Sequence, residues 1–229
     1  MTAQSRQSIQ HDETYWRETP KPLYCLIFIL PMLVLFHWQA QQYRRYLLVL
    51  SFFHGFAACL PPLAIISVLL GQHLLRRDRW GLRLRVLGGM IVESVLWVAP
   101  LIAVSHITTR VFITAAVAGD PGIMIGIGGG IYEEFVFHLL AIGIIMFVFV
   151  DLGTLPKIPV AIFAVAVTAV LFALSHMHIP PFYGMETFSP RAFAFRMAAG
   201  LYLGALFLLR GFGVAVGTHV MWNIYVCAM

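Results

Sequence analysis

Charge is what this chain has least of: 11% of its 229 residues are Asp, Glu, Lys or Arg while 60% are hydrophobic, where a soluble domain carries roughly 25% charged residues. A chain so poor in charge cannot dress itself in a solvated surface, so the soluble classes are excluded first. Cysteine is sparse too. Cys25, Cys59 and Cys227 each sit in an apolar run with no paired spacing, which excludes a disulfide framework or a zinc ribbon and leaves packing as their role. The first 22 residues hold Arg6, Asp12, Glu13, Arg17, Glu18 and Lys21 but no short apolar core with a small-residue cleavage site, so they read as a polar tail and not as a signal peptide. No repeat, heptad or low-complexity tract is present. The net charge of +5 comes from residues between apolar runs, without the aromatic-laced basic stripe of a nucleic-acid binder, so no nucleic-acid partner is expected.

What the chain does have is apolar runs of the length that crosses a ~30 Å hydrocarbon core. Seven spans can be drawn: Leu23 to Trp38, Tyr46 to Leu70, Val86 to His106, Pro121 to Val150, Ile158 to His178, Ala192 to Leu209 and Gly213 to Met229. The expected fold is therefore all-α, a polytopic transmembrane bundle of about seven helices, with 1–22 as a tail and 23–229 as a single domain. Pro31, Pro61, Pro62 and Pro100 fall inside spans, which membrane helices tolerate because neighbouring groups re-satisfy the freed backbone. Arg76, Arg77, Arg79, Arg83 and Arg85 form the densest basic cluster and place the loop after the second span in the cytoplasm. On that basis ten basic residues lie inside (Arg6, Arg17, Lys21, those five, Lys157, Arg210) and five outside (Arg44, Arg45, Arg110, Arg191, Arg196). The chain is thus expected in a multi-pass arrangement in a bacterial inner (plasma) membrane, with the lipid bilayer as its first partner.

Against this apolar ground, a few polar residues stand out. Glu133 and Glu134 lie within Ile131-Tyr-Glu-Glu-Phe-Val-Phe-His138, where an ionised side chain costs at least ~2.5 to 3.5 kcal/mol. Adjacent helical residues point ~100° apart, whereas Glu134 and His138, four apart, can touch. The two acids can then divide the work: Glu134 paired with His138, Glu133 facing a cavity as general base on a water. The alternative is a hydrogen-bond cluster that locks helices together. Gly126, Gly128, Gly129 and Gly130 precede the pair, and small residues let helices approach closely or leave room for a substrate segment. Further on, Phe172-Ala-Leu-Ser-His-Met-His178 ends the fifth span, and His219-Val-Met-Trp-Asn223 lies in the seventh. His219 and Asn223 share a face and could donate to one oxygen. Any one of these histidines alone is equally explained by packing, but antiparallel spans bring Glu133, His176, His219 and Asn223 to similar depth. Glu93 reads as the partner of a polar group in the bundle or of Arg85, and Arg196 as a group that could approach a substrate carboxylate, although nothing in its spacing singles it out.

The ordered series Glu133-Glu134-x-x-x-His138, Phe172-x-x-x-His176 and His219-x-x-x-Asn223, with Gly200-Leu-Tyr-Leu-Gly204 before the last, resembles the motifs of the CPBP family. That family includes CaaX-processing proteases, bacteriocin-processing or immunity proteins and Abi proteins, and the resemblance covers Gly126 to Tyr225 within a core of about 121–229. It implies an intramembrane endopeptidase in which Glu133 and His176 activate water, His219 and Asn223 stabilise the oxyanion, and Glu134 supports from behind. The one departure is His138, where the family pattern has Arg; imidazole is a weaker, pH-dependent cation. No cofactor is expected. The rival enzymatic reading makes Glu133, His176 and His219 ligands of Zn²⁺, as two His and one Glu with an open position form a hydrolytic site, although no His-Glu-x-x-His helix is present. A non-enzymatic immunity or transport protein is the reading from another class. The expected partner of a protease is a membrane-embedded or membrane-anchored peptide or protein. The topology is testable on its own: a single cysteine placed within Arg76 to Arg79 should resist a membrane-impermeant thiol reagent added outside intact cells, and rapid labelling there would invert the orientation.

Overall fold

A computed structural model describes residues 15–39, 59–108, 122–180 and 186–228. Eight helices order these residues: α1 (Pro22–Gln39), α2 (Leu60–Arg76), α3 (Leu84–Leu96), α4 (Val98–Thr108), α5 (Gly122–Leu152), α6 (Lys157–His176), α7 (Pro190–Arg210) and α8 (Phe212–Ala228). Among the described residues there is no strand, only an isolated bridge between Met177 and Glu186. Five helices, with α3 and α4 taken together as one span, are long and apolar enough to cross a membrane, and α2 and α8 are shorter apolar helices. The all-α bundle expected from the apolar runs is the fold observed, and the protein is an integral membrane protein. Residues 46–58 of the second expected span lie outside the described residues.

Local sequence explains where these helices begin and break. Pro61 and Pro62 occupy the first turn of α2, and Pro190 opens α7, positions where a missing N–H costs nothing. The third expected span is two helices, not one. Pro100 has no N–H for the carbonyl of Leu96 and its ring would strike that carbonyl, so α3 stops at Leu96, Trp97 closes it through an N–H bond to the Glu93 carbonyl (2.9 Å), and α4 starts at Val98. At the end of α7, Gly211 takes φ +88°, and a Cβ there would lie 2.6 Å from the Pro20 Cα. Glycine is required on both counts.

The bundle is turned inside out relative to a soluble one. Ile144, Phe147, Ile158, Ile162, Phe163, Leu201 and Leu209 are exposed, whereas Glu93, Glu134, His138, Arg210 and His219 are buried. Hydrocarbon is the only solvent that rewards this arrangement. In the main core, Tyr24, Ile29 and Phe36 of α1, Ile65 and Leu69 of α2, Ile131 of α5 and Val216 and Val220 of α8 pack together. α5 lies along α8, and α6 along α7.

One end of the bundle is fastened by charge. Glu93 of α3 accepts from Arg210 Nε (2.5 Å) and Nη2 (2.9 Å), from Tyr15 (2.5 Å) and from the Trp97 indole (3.0 Å). The Arg210 guanidinium lies 3.6 Å from the ring centre of Trp16. Glu93 thus has a polar partner within the bundle, Arg210, in place of Arg85. Burial and the adjoining carboxylate push the Tyr15 hydroxyl well above its ordinary range, so it remains a donor. Breaking a buried ion pair strands the surviving charge. Glu93→Gln or Arg210→Met alone should cost about 3 to 5 kcal/mol of stability in thermal unfolding of the detergent-solubilised protein. The double variant should cost clearly less than the sum of the two, and strict additivity would show that the pair is not coupled.

Candidate active site

The glycines of α5 bring its acids against α8. A Cβ at Gly126 would lie 3.0 Å from the Asn223 Cβ, and one at Gly130 would lie 2.6 Å from Val220 Cγ2 and 2.9 Å from its backbone nitrogen. Backbone therefore meets backbone at this crossing, as only small residues allow. Immediately after Glu133 the helix widens from α to π hydrogen bonding over Glu134–Ile142 and again over Phe147–Leu152. Such widening recurs at functional sites, and nothing between 134 and 142, which holds no Gly or Pro, announces it in the sequence.

The two acids meet different surroundings. The Glu134 side chain is wholly buried, with Oε2 2.6 Å from His138 Nδ1 and Oε1 2.8 Å from His219 Nδ1. An ionised carboxylate only accepts, so with Glu134 ionised both imidazoles donate to it. Glu134 therefore holds His219 as well as His138, a link the one-turn spacing did not reveal. His138 packs between Phe172 and Phe207, and its Nε2 has no hydrogen-bond partner among the described residues. The Glu133 side chain retains 25% exposure, and its Oε2 stands 3.5 Å from His176 Nε2 and 3.7 Å from His219 Nε2. At the far nitrogen of His176, Nδ1 lies 2.8 Å from the Phe172 carbonyl, which can only accept. Nδ1 thus carries a proton, and when the ring is neutral Nε2 presents a lone pair toward Glu133. Phe172 is also the wall between the histidines, its ring centre 4.7 Å from that of His176 and 5.8 Å from that of His219.

Asn223 lies one turn beyond His219, and its amide donates one hydrogen to the Gly126 carbonyl at 2.9 Å. A Cβ at Gly129 would lie 3.4 Å from Glu133 Oε1 and 3.5 Å from the Asn223 amide nitrogen. The two side chains thus flank the bare face of this glycine. Glu133, His176, His219 and Asn223 are brought together as the sequence reading placed them, and Glu134, His138 and Phe172 form the layer behind. Ser175 donates to the Phe172 carbonyl (2.8 Å). Among the described residues no three His, Cys, Asp or Glu side chains are arranged to hold a metal ion.

Residues 121–225 match the family described as type II CAAX prenyl endopeptidase, Rce1-like. This stretch reaches from the residue before α5 almost to the end of α8 and holds every residue of the site. The match supports the CPBP/CAAX protease family for this stretch, in agreement with the motif resemblance. No curated protein and no solved structure matches the chain.

The α5/α8 crossing yields a prediction with an internal control. Gly130→Ala drives a methyl into Val220 and its backbone, so it should cost about 1 to 3 kcal/mol and displace Glu134 from His219. At Gly143, thirteen residues further along the same helix, a Cβ meets nothing within 4 Å, and Gly143→Ala should be neutral or stabilising by up to about 1 kcal/mol. Equal melting temperatures for the two variants would dismiss the tight crossing.

Proposed function

We propose that this protein is a glutamic intramembrane endopeptidase that hydrolyses a peptide bond of a membrane-anchored substrate with a water activated by Glu133 and His176. The observation that carries this reading is the convergence of two acceptors, Glu133 Oε2 and the lone pair of His176 Nε2, 3.5 Å apart. Two acceptors facing each other call for a donor between them, and water is a donor that also carries a nucleophilic oxygen. As that oxygen attacks the scissile carbonyl, its proton passes to Glu133, which returns it to the leaving amine. The carbonyl oxygen becomes an oxyanion, and the donors on the other side are the second amide hydrogen of Asn223 and Nε2–H of His219. With Nδ1 given to Glu134, His219 donates from Nε2 only as the doubly protonated ring, and the Glu134 carboxylate, wholly buried beside it, supplies the counter-charge. Glu134 is then the positioning group for the oxyanion donor, and His138 its second partner in place of the family's Arg.

The rival zinc reading takes Glu133, His176 and His219 as ligands; the mechanism proposed routes no step through a metal, and chelation separates the two. A CAAX-type substrate fits the family match.

The test uses purified full-length protein in lipid nanodiscs with a membrane-anchored reporter peptide. Glu133→Gln keeps size and polarity but cannot take the water proton, so hydrolysis should vanish while the melting temperature holds. His219→Ala and Asn223→Ala should each cost about 10²-fold to 10³-fold in kcat, the scale of one oxyanion donor. Turnover should survive exhaustive chelation. Near-normal turnover by the Glu133 variant would sink the assignment, and loss on chelation reversed by zinc alone would move the mechanism to the metal.

A further inference from the structure

Beside the hydrolytic residues stands an ion pair that the mechanism does not use. Arg196 Nη2 of α7 meets Glu186 Oε1. Glu186 is itself tied to the end of α6: its N–H donates to the His176 carbonyl (2.9 Å), and its carbonyl accepts from His178 N–H (2.6 Å). The register of the antiparallel helices sets Arg196 at the same level. Gly200 of α7 abuts Ala169 and Phe172, and Gly204 abuts Val165, so four residues before Gly200 the chain faces the turn that ends in His176. Arg196 acts electrostatically on Glu133, His176 and His219 together. A guanidinium is therefore fixed on the helix packed against the one that carries His176, level with its last turn.

Its present partner holds it incompletely. A guanidinium binds a carboxylate best through two parallel bonds, as Arg210 does with Glu93. Glu186 engages Arg196 through one oxygen, and its other, Oε2, is buried with no hydrogen-bond partner among the described residues. The Arg196 side chain remains 23% exposed.

We infer that Arg196 is the receptor for the C-terminal carboxylate of the substrate, and that Glu186 occupies it until the substrate arrives. Resting on the proposed endopeptidase activity, this makes Arg196 a specificity-determining residue. It selects peptides whose free carboxylate lies close past the cut, since Arg196 stands on the helix next to the one that carries His176. Binding exchanges one carboxylate for another on the same guanidinium and frees the Glu186 side chain.

The probe is a dansylated peptide ending in S-farnesyl-cysteine and three aliphatic residues, made as the free acid and as the C-terminal amide. Binding is measured to full-length Glu133→Gln protein in nanodiscs, so that turnover does not intrude. The acid should bind about 10-fold to 100-fold more tightly than the amide, the scale of a hydrogen bond to a charged group. Adding Arg196→Gln should bring the acid down to the level of the amide, and Arg196→Lys, which keeps charge but loses the fork, should fall between. Adding Glu186→Gln removes the competing carboxylate and should tighten the acid. These opposite signs separate a receptor from a staple: if Arg196→Gln and Glu186→Gln weaken both peptides alike, the pair merely fastens the loop to α7. Equal binding of acid and amide overturns the inference. Failure of the wild-type protein to cleave either peptide, with selective binding retained, would remove the endopeptidase reading and leave the carboxylate receptor standing, whereas wild-type cleavage of acid and amide at equal kcat/KM would do the reverse.

Discussion

A carboxylate with no exposure at all, in the middle of an apolar bundle, is the constraint on which the rest of this site depends. Ionised, Glu134 costs several kcal/mol in such surroundings unless its oxygens are taken up by donors. The donors come from one turn further along its own helix, His138, and from α8, His219. Satisfying Glu134 therefore requires α5 and α8 to meet at that height, and the bare faces of Gly126 and Gly130 permit it. The burial requirement and the glycine stripe are two sides of one packing problem, and the orientation of His219 is its by-product.

The same geometry accounts for the division of labour between neighbouring acids. Adjacent residues on a helix diverge by ~100°, so once Glu134 is committed to the interior, Glu133 must emerge elsewhere. It emerges at the α6 side, where His176 ends its helix and presents Nε2. An acid whose hydrogen-bonding capacity is consumed by two imidazoles serves as a scaffold. One that stands 3.5 and 3.7 Å from two ring nitrogens is still able to engage a substrate or a water.

Much of this was legible in the sequence because membrane segments leave few choices. Charge is so rare in the chain that each intramembrane acid or histidine is a signal, and helical spacing fixes which of them can touch; Glu134 with His138 is the clearest case. The grouping of Glu133, His176, His219 and Asn223 followed from antiparallel order alone. What spacing could not convey were contacts between helices far apart in sequence. Glu134 with His219 spans 85 residues and Glu93 with Arg210 spans 117, and neither has a local pattern. The break at Trp97 was readable in Pro100 but was absorbed into one apolar run. The π widening after Glu133 carries no residue signature, so only the backbone discloses it.

Arg196 and Arg210 of α7 show how the same pair of residue types can serve opposite ends. They lie fourteen positions apart, about 21 Å along the helix. Arg210 is matched at both carboxylate oxygens of Glu93 and covered by Trp16, which leaves it no vacancy for a ligand and makes it a fastening. Arg196 shares one oxygen of a carboxylate carried on the segment after α6, and keeps a share of exposure. A bond of that kind is held by charge more than by geometry, and a carboxylate able to offer two oxygens competes with it on favourable terms. Because the Glu186 backbone is bonded to the His176 carbonyl, whatever displaces the Glu186 side chain acts next to the residue that faces Glu133. Recognition of the substrate's end and positioning of the group that attacks it would then be coupled through a single residue's side chain and backbone.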